Sequence, residues 1–149
     1  VHDFAPTLGL GRFVVFEIPR TETFTSRGDI KDEVNAALES AAKAHESLVA
    51  GEWDEVMEDL RGVWELTRSK ADDIKALLIR DGYTEEAAVS FADAIGRHFV
   101  LASKFHHRLD KQRKKIMPEI KAAKEDAYLV YAVAMSVLNL IARKVQRLQ

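Results

Sequence analysis

Cysteine is absent from this chain of 149 residues. A disulfide framework, a thiol nucleophile and a cysteine-based zinc site are therefore excluded, and the composition suits a reducing compartment. The first twelve residues have neither a basic start nor an apolar core, so no secretory signal is predicted. Residue 1 is Val, so we expect a processed chain or a piece of a longer one, with the cytoplasm as its location.

Long apolar runs and phosphate-binding motifs are also missing. The longest uncharged run, Ala127 to Ala142, has 16 residues, fewer than the roughly 20 that cross a bilayer. It predicts a buried core helix, and we expect no membrane partner. The "GLG" at residues 9–11 is followed by neither GxGxxG nor a Walker lysine, so no nucleotide cofactor is predicted, nor any other cofactor.

What the chain does contain is a globular balance, with 47% hydrophobic and 31% charged residues. Its length is that of one ordinary domain able to bury a sizeable core. The net charge of −2 conceals a polarity along the sequence. Residues 29–65 hold eleven acidic and three basic side chains, whereas residues 97–115 hold seven basic and one acidic. The two segments are therefore expected to attract different partners.

Apolar residues recur at helical spacing from Ile30 onward and predict an all-α fold. We expect an up-and-down helical bundle of about five helices over residues 29–149. The predicted helices cover residues 30–51, 52–64, 71–82, 84–109 and, roughly, 121–146.

Residues 1–28 form a separate N-terminal part, predicted as an extended arm and a polar connector. Within it "RFVVFEI", residues 12–18, is rich in β-branched and aromatic residues and precedes Pro19, which predicts a strand. A single strand cannot form a sheet. It would pair with a strand from another subunit or from a missing segment, or pack as an extended arm.

Three histidines lie between residues 98 and 107. His106 and His107 are neighbours, and adjacent side chains on a helix point about 100° apart, so one helix cannot aim both at one metal ion. No metal site is predicted. His98 lies on the apolar stripe of the predicted fourth helix, where we expect a hydrogen-bonded core histidine.

A cluster of basic residues runs through the same segment. Its members are Arg97, Lys104 and Arg108 on one face of the predicted fourth helix, then Lys111, Arg113, Lys114 and Lys115 in the loop that follows. Such a surface could neutralise the phosphates of a nucleic acid or bind an acidic protein. The alternative is a solvated helix end whose bases are placed favourably at a C-terminus.

The last predicted helix is apolar on every side in its middle. A helix of this kind has to be covered all round, either in the centre of the core or at a subunit interface. We therefore predict a homodimer whose interface includes this helix. The candidate interface residues are Tyr128, Tyr131, Met135 and Leu138.

Three segments together resemble HEPN-type domains. Residues 41–66, "AAKAHESLVAGEWDEVMEDLRGVWEL", are similar to the first helical hairpin, where a Gly-x-Trp turn precedes Arg61 and Glu65, one turn apart. Residues 97–107 resemble the later helix with basic and histidine residues, and residues 124–144 resemble the closing apolar helix. The resemblance implies a dimerising helical bundle, often of bacterial toxin or defence systems, with some members that cut RNA without a metal.

In catalytic members of that family an Arg and a His separated by only a few residues face each other across the dimer. Here eight residues lie between Arg97 and His106. Two side chains nine positions apart on a helix point about 180° away from each other, so Arg97 and His106 share a face only if the helix breaks. If this chain cuts RNA, the resemblance implies that Arg97 stabilises phosphate charge and that His106 or His107 acts as acid or base.

Three interpretations stay open. The first is a non-catalytic, HEPN-like interaction domain that self-associates and presents its basic face to an acidic protein or a nucleic acid. The second is a metal-independent ribonuclease of a bacterial toxin or defence system. The third is a structural subunit of a larger assembly, in which the strand at residues 12–18 completes a neighbour's sheet.

Overall fold

The computed structural model describes residues 30–106, 108, 109, 112 and 114–147 of the chain. Over these residues the all-α prediction is confirmed. The elements in chain order are α1 (Ile30–Ala50), α2 (Trp53–Asp59), α3 (Arg61–Ser69), α4 (Ala71–Arg80), α5 (Glu85–Ser103), β1 (Arg108–Leu109), β2 (Lys115–Ile116) and α6 (Lys124–Arg147). The predicted arm and its strand, residues 1–28, lie outside the described residues.

The hairpin of α1 with the next two helices forms one wall of the core. Small residues at helical spacing, Ala37, Ala41 and Ala44, are buried along α1 and allow neighbouring helices to approach closely. Gly51 follows α1 with a φ of 76°, a left-handed conformation that other residues rarely adopt. Gly62 in α3 packs so closely on α1 that a Cβ atom there would collide with the Ser40 hydroxyl.

The predicted second helix is interrupted at Leu60, which divides it into α2 and α3. The carbonyl oxygen of Leu60 accepts from the amide of Val63 at 3.0 Å and from that of Trp64 at 3.3 Å, which tightens the turn locally. The apolar stripe nevertheless continues through the interruption, because Met57, Leu60 and Trp64 are all fully buried.

The predicted fourth helix is shorter than expected, because α5 ends at Ser103 rather than near Leu109. The amides of residues 104–106 bond to carbonyls three positions earlier, which is a 3₁₀ turn. The carbonyl of Lys104 accepts the amide of Ile120 at 3.2 Å, so the returning chain uses the acceptor that a longer helix would need. A long-range bond therefore accompanies the end of α5.

A short hairpin follows this turn, where a loop was predicted. Strands β1 and β2 are antiparallel, with Arg108 opposite Ile116 and Leu109 opposite Lys115. The turn before it faces the core, since Phe105 is buried.

Helix α6 passes through the bundle with one side buried. Val130, Leu138 and Ile141 are among its core residues, and it packs on α1 and α2. The opposite side is open, with Leu129 53% and Tyr128 42% exposed. By length and composition alone, α6 is the one helix in the described part of the chain that qualifies as a membrane span, and 50% of that window is buried inside the bundle.

Candidate functional site

His106 lies in the turn after α5 and is buried, with 7% of its surface exposed. Its Nε2 lies 3.0 Å from the carbonyl oxygen of Met57 in α2. A carbonyl only accepts hydrogen bonds, so Nε2 carries the proton and donates it, and Nδ1 is the unprotonated nitrogen of the neutral ring. The imidazole thus ties the turn after α5 to α2.

Charged residues of α2 and α3 act on this ring. Burial has the largest effect and lowers the pKa of His106. The Glu58 carboxylate raises this pKa and the Arg61 guanidinium lowers it. The hydrogen bond to the Met57 carbonyl and the Glu65 carboxylate also raise it. The net pKa lies below the ordinary value, so the ring is neutral at pH 7. We call Glu58, Arg61, Glu65 and His106 the His106 cluster.

The His106 cluster combines a guanidinium, two carboxylates and an imidazole. Arg61 Nη2 lies 2.8 Å from Glu58 Oε2, and both side chains reach solvent. The imidazole does not reach solvent, because it is buried and its Nε2–H donates a hydrogen bond to the Met57 carbonyl. The arrangement therefore holds a structural histidine under an exposed ion pair, and general acid or base work would require the turn to open.

Sequence reasoning missed this cluster as a unit. The family resemblance singled out Arg61 and Glu65 only as a hairpin signature. Met57 and His106 are 49 positions apart, and no spacing in the sequence links them. The resemblance named both segments, but as separate features of the family and not as one site.

The predicted catalytic residues are not brought together. Arg97 is exposed on α5 and makes no hydrogen bond or ion pair with any described residue, His106 included. The end of α5 at Ser103 separates the two, so they do not share one continuous helix. His107 lies outside the described residues.

The basic cluster is distributed over α5, the hairpin and its flanks. Lys104 Nζ lies 3.0 Å from Glu119 Oε2, so this predicted anion contact already has an internal carboxylate. Arg108 is in β1 and Lys115 in β2, and Lys114 is exposed just before β2. Lys111 and Arg113 lie outside the described residues.

His98 is a half-buried core residue, but among the described residues its Nε2 lacks the hydrogen bond that was predicted. Its ring centroid lies 5.0 Å from that of Trp64, with the planes tilted by 53°. His98 Nε2 and Trp64 Nε1 are both buried without a hydrogen-bond partner among the described residues. Burial lowers the pKa of His98, so this ring too is neutral at pH 7.

Two concave features of the described residues bear on the question of a cofactor or a metal ion. They contain no group of three or more His, Asp or Glu side chains arranged to hold a metal. A cavity of about 10 Å³ between α4, α5 and α6 has room for a single water at most. A groove of about 320 Å³ runs along α6, lined by Ser136, Asn139, Leu140, Arg143, Lys144 and Arg147.

The predicted interface residues lie mainly on the inward side of α6. Met135 and Leu138 belong to the core of the single chain, 3% and 0% exposed. Tyr131 is half-buried with its hydroxyl 3.3 Å from His45 Nδ1. Tyr128 is exposed at the edge of α6.

A different set of residues forms the outward side of α6, which we call the open face. They repeat at helical spacings of three and four, and all are exposed or half-exposed. They are Glu125, Leu129, Ala132, Ser136, Leu140, Arg143 and Arg147. Between Glu125 and Arg143 the open face is uncharged, and it includes the exposed side chain of Leu129.

Comparison with known proteins found no match for the chain. No family model matches it, and no curated protein and no solved structure is significantly similar to it. A function for this chain therefore has to be inferred from its residues and their geometry.

Proposed function

We propose that the chain is a non-catalytic helical interaction domain, HEPN-like, that self-associates through α6 and presents a basic face to an acidic protein or a nucleic acid. The observation that carries this proposal is the open face. It leaves Leu129 53% exposed on a helix whose other side is core. Burying such a surface against a second copy removes apolar area from water, which favours association.

The distribution of basic residues supports the second part of the proposal. Arg97 and Lys114 are exposed, and so are Lys121, just before α6, and Lys124, its first residue. Lys104 is paired with Glu119, so an anionic partner would compete with that carboxylate for its ammonium group. Binding of this kind is electrostatic, so it should weaken steeply as salt is added.

The state of His106 supports a role without catalysis. A buried, neutral imidazole that donates its Nε2 proton to Met57 contributes to the fold. We include in the proposal a cytoplasmic location and no membrane partner.

Two measurements test the proposal on the full chain. Sedimentation velocity at micromolar concentration should report a dimer, and a monomer would contradict self-association. Binding to RNA, DNA and an acidic peptide across a salt series should show which anion is preferred, and no binding at low salt to any of the three would contradict the basic face.

A matched pair of double variants isolates the basic face. Arg97→Glu with Lys114→Glu should weaken binding of the preferred anion by about ten-fold or more at low salt. Lys43→Glu with Arg80→Glu makes the same charge change at exposed positions elsewhere and should leave binding much closer to that of the parent. Equal losses in both variants would mean that only net charge matters.

The second candidate, a metal-independent ribonuclease, is favoured by one specific observation. The helix ends at Ser103, and His106 then lies within electrostatic range of Arg61, Glu58 and Glu65. Arg61 supplies an exposed guanidinium for a phosphate in place of Arg97. In this alternative the turn would have to release His106 from Met57 before the ring could act as acid or base.

Cleavage assays distinguish the two candidates. The ribonuclease predicts that purified chain cuts RNA in the presence of a chelator and that Arg61→Ala or His106→Ala removes the activity. Intact RNA, or cleavage that survives His106→Ala and His107→Ala, excludes it. The third candidate, a structural subunit that donates its strand, concerns residues 12–18 and is tested by deleting residues 1–20, since unchanged assembly would contradict it.

A further inference from the structure

We propose that two copies of the chain pair antiparallel along the open face of α6, with a two-fold axis beside Ser136. This inference rests on the proposed self-association and adds its geometry. It names the residues that meet, which makes the arrangement open to direct test.

The open face is symmetric in sequence about Ser136. Ala132 and Leu140 lie 4 residues on either side, Leu129 and Arg143 lie 7, and Glu125 and Arg147 lie 11. A two-fold axis perpendicular to α6 at Ser136 therefore brings each of these residues opposite its counterpart in the second copy.

Charge favours this orientation over a parallel one. The acidic end of the open face is Glu125, and the basic end is Arg143 with Arg147. An antiparallel pair places Glu125 of each copy opposite Arg147 of the other, whereas a parallel pair would place Glu125 against Glu125 and Arg147 against Arg147. The antiparallel orientation also opposes the two helix dipoles.

Arg147 can take a second carboxylate without leaving the first. Its Nη2 lies 3.0 Å from Asp81 Oδ2, and its side chain is 64% exposed. A guanidinium has five N–H donors, so several remain for Glu125 of a second copy. The internal ion pair thus leaves most of the exposed guanidinium available to a second carboxylate.

Side-chain size is complementary in the same register. The centre of the open face is small, with Ser136 on the axis and Ala132 one turn away, so the two helices can approach closely. Leu140 then lies opposite Ala132 of the other copy, a large residue against a small one. Leu129 lies opposite the aliphatic stem of Arg143, which can cover an apolar side chain while its charged head stays in water.

The groove along α6 is part of the same surface. Ser136, Leu140, Arg143 and Arg147 line it, so a second helix lying on the open face would fill it. From Glu125 to Arg147 the open face is about 33 Å long, which is enough for six turns of helix contact. A lipid surface suits it less well, because two arginines lie within the face and half of the apolar window is buried in the bundle.

Single cysteines test this arrangement directly because the parent chain has none. In the full chain, Ser136→Cys should form a disulfide-linked dimer on mild oxidation, since residue 136 meets itself across the axis. The Ser136 hydroxyl donates to the Ala132 carbonyl of its own helix at 2.8 Å, so its replacement removes only an exposed bond within the helix. The matched control is Ser90→Cys at an exposed position of α5, which should stay monomeric on a denaturing gel.

The two ends of the open face test the orientation. Glu125→Cys alone and Arg147→Cys alone should not link to themselves, whereas a mixture of the two should give the crossed dimer with a short bismaleimide. Glu125→Cys linking to itself would mean parallel pairing and overturn the inference.

Sedimentation separates failure of this inference from failure of the proposed self-association. If the Ser136→Cys variant sediments as a dimer but does not link, the axis at Ser136 is overturned and self-association stays intact. A monomer by sedimentation overturns both. A monomeric Ser136→Cys variant whose new thiol is also protected from maleimide would mean that another part of the same chain covers the open face, which likewise overturns pairing with a second copy.

Discussion

The Lys144 ammonium and the Asp81 carboxylate form a buried ion pair that joins the end of α6 to the turn between α4 and α5. Their side chains are 8% and 7% exposed, and Lys144 Nζ also lies 4.6 Å from the ring centroid of Tyr83. Arg147 contacts the same carboxylate. Without its acid, Lys144 would be a buried charge in an apolar environment, so the pair holds the end of α6 in one position.

We therefore expect Asp81→Ala to destabilise the fold by about 3–5 kcal/mol, because it leaves the Lys144 charge buried without its carboxylate. The measurement is the urea midpoint at pH 7. Asp72→Ala, which removes the exposed partner of Lys75, is the control and should leave the midpoint unchanged. Asp81→Leu combined with Lys144→Met should recover much of the loss, and a double variant no better than Asp81→Ala would contradict the explanation.

The two neutral histidines make stability depend on pH. Burial lowers the pKa of His98, and burial together with Arg61 lowers that of His106 against the opposing effect of Glu58 and Glu65. In the unfolded chain each histidine titrates at about 6.5. The unfolded state therefore binds more protons below that pH, so the stability contribution is complete above it and is lost as the pH falls through the folded pKa values.

The free energy of unfolding from urea titrations should accordingly fall between pH 7.5 and pH 5.5, values that lie on either side of the ordinary histidine pKa of about 6.5. His98→Phe and His106→Gln should each make the dependence shallower. His45→Gln, at an exposed histidine, is the control and should keep the slope of the parent. If neither His98→Phe nor His106→Gln changed how the free energy of unfolding depends on pH, other titrating groups would cause that dependence.

Replacing glycine by alanine should have opposite effects on stability at two positions, one packed against α1 and one exposed on α5. Gly62→Ala should cost about 1–3 kcal/mol, because its Cβ collides with the Ser40 hydroxyl. Gly96→Ala, at an exposed position of α5 with no atom within 4 Å, should stabilise by about 0.5–1 kcal/mol through helix propensity. Thermal unfolding measures both. Ser40→Ala in the Gly62→Ala background should restore part of the loss, and no recovery would place the strain elsewhere.

The antiparallel pairing predicts how the dimer responds to charge. Glu125→Arg places like charges opposite Arg147 of the second copy and should weaken dimerisation by about ten-fold at low salt, with a smaller loss at high salt. Sedimentation equilibrium measures the dissociation constant. Glu46→Arg, at an exposed acid on α1, is the control. An equal loss in both variants would contradict a specific contact at Glu125.

Periodicity in the sequence was sufficient for the helical class and for most helix positions, because a repeating apolar stripe is a local property of the chain. The predicted range 30–51 also begins and stops close to the observed ends of α1, and the range 84–109 begins close to the start of α5, where the Thr84 hydroxyl accepts the Ala87 amide at 3.2 Å. Local pattern could not locate the end of α5. That end coincides with the bond from the Ile120 amide to the Lys104 carbonyl, between residues far apart in sequence.

The candidate site depends even more on tertiary structure. Composition alone indicated three histidines and a basic segment, but their environments come from packing. The Met57 carbonyl accepts a hydrogen bond from His106, Trp64 packs against His98, and Glu119 pairs with Lys104. Each of these contacts joins different elements, so no spacing within one helix reveals it.

Helix α6 illustrates the same division. The sequence by itself determined that an apolar helix with an uncharged middle lies at roughly residues 121–146, because composition and spacing define that locally, and the structure has it at Lys124–Arg147. Which side turns inward was decided by the tertiary structure, since an all-round apolar surface has no preferred face until α1 and α2 cover one side. Met135 and Leu138 were thereby buried in the core, and Leu129 and Ser136 were left on the open face.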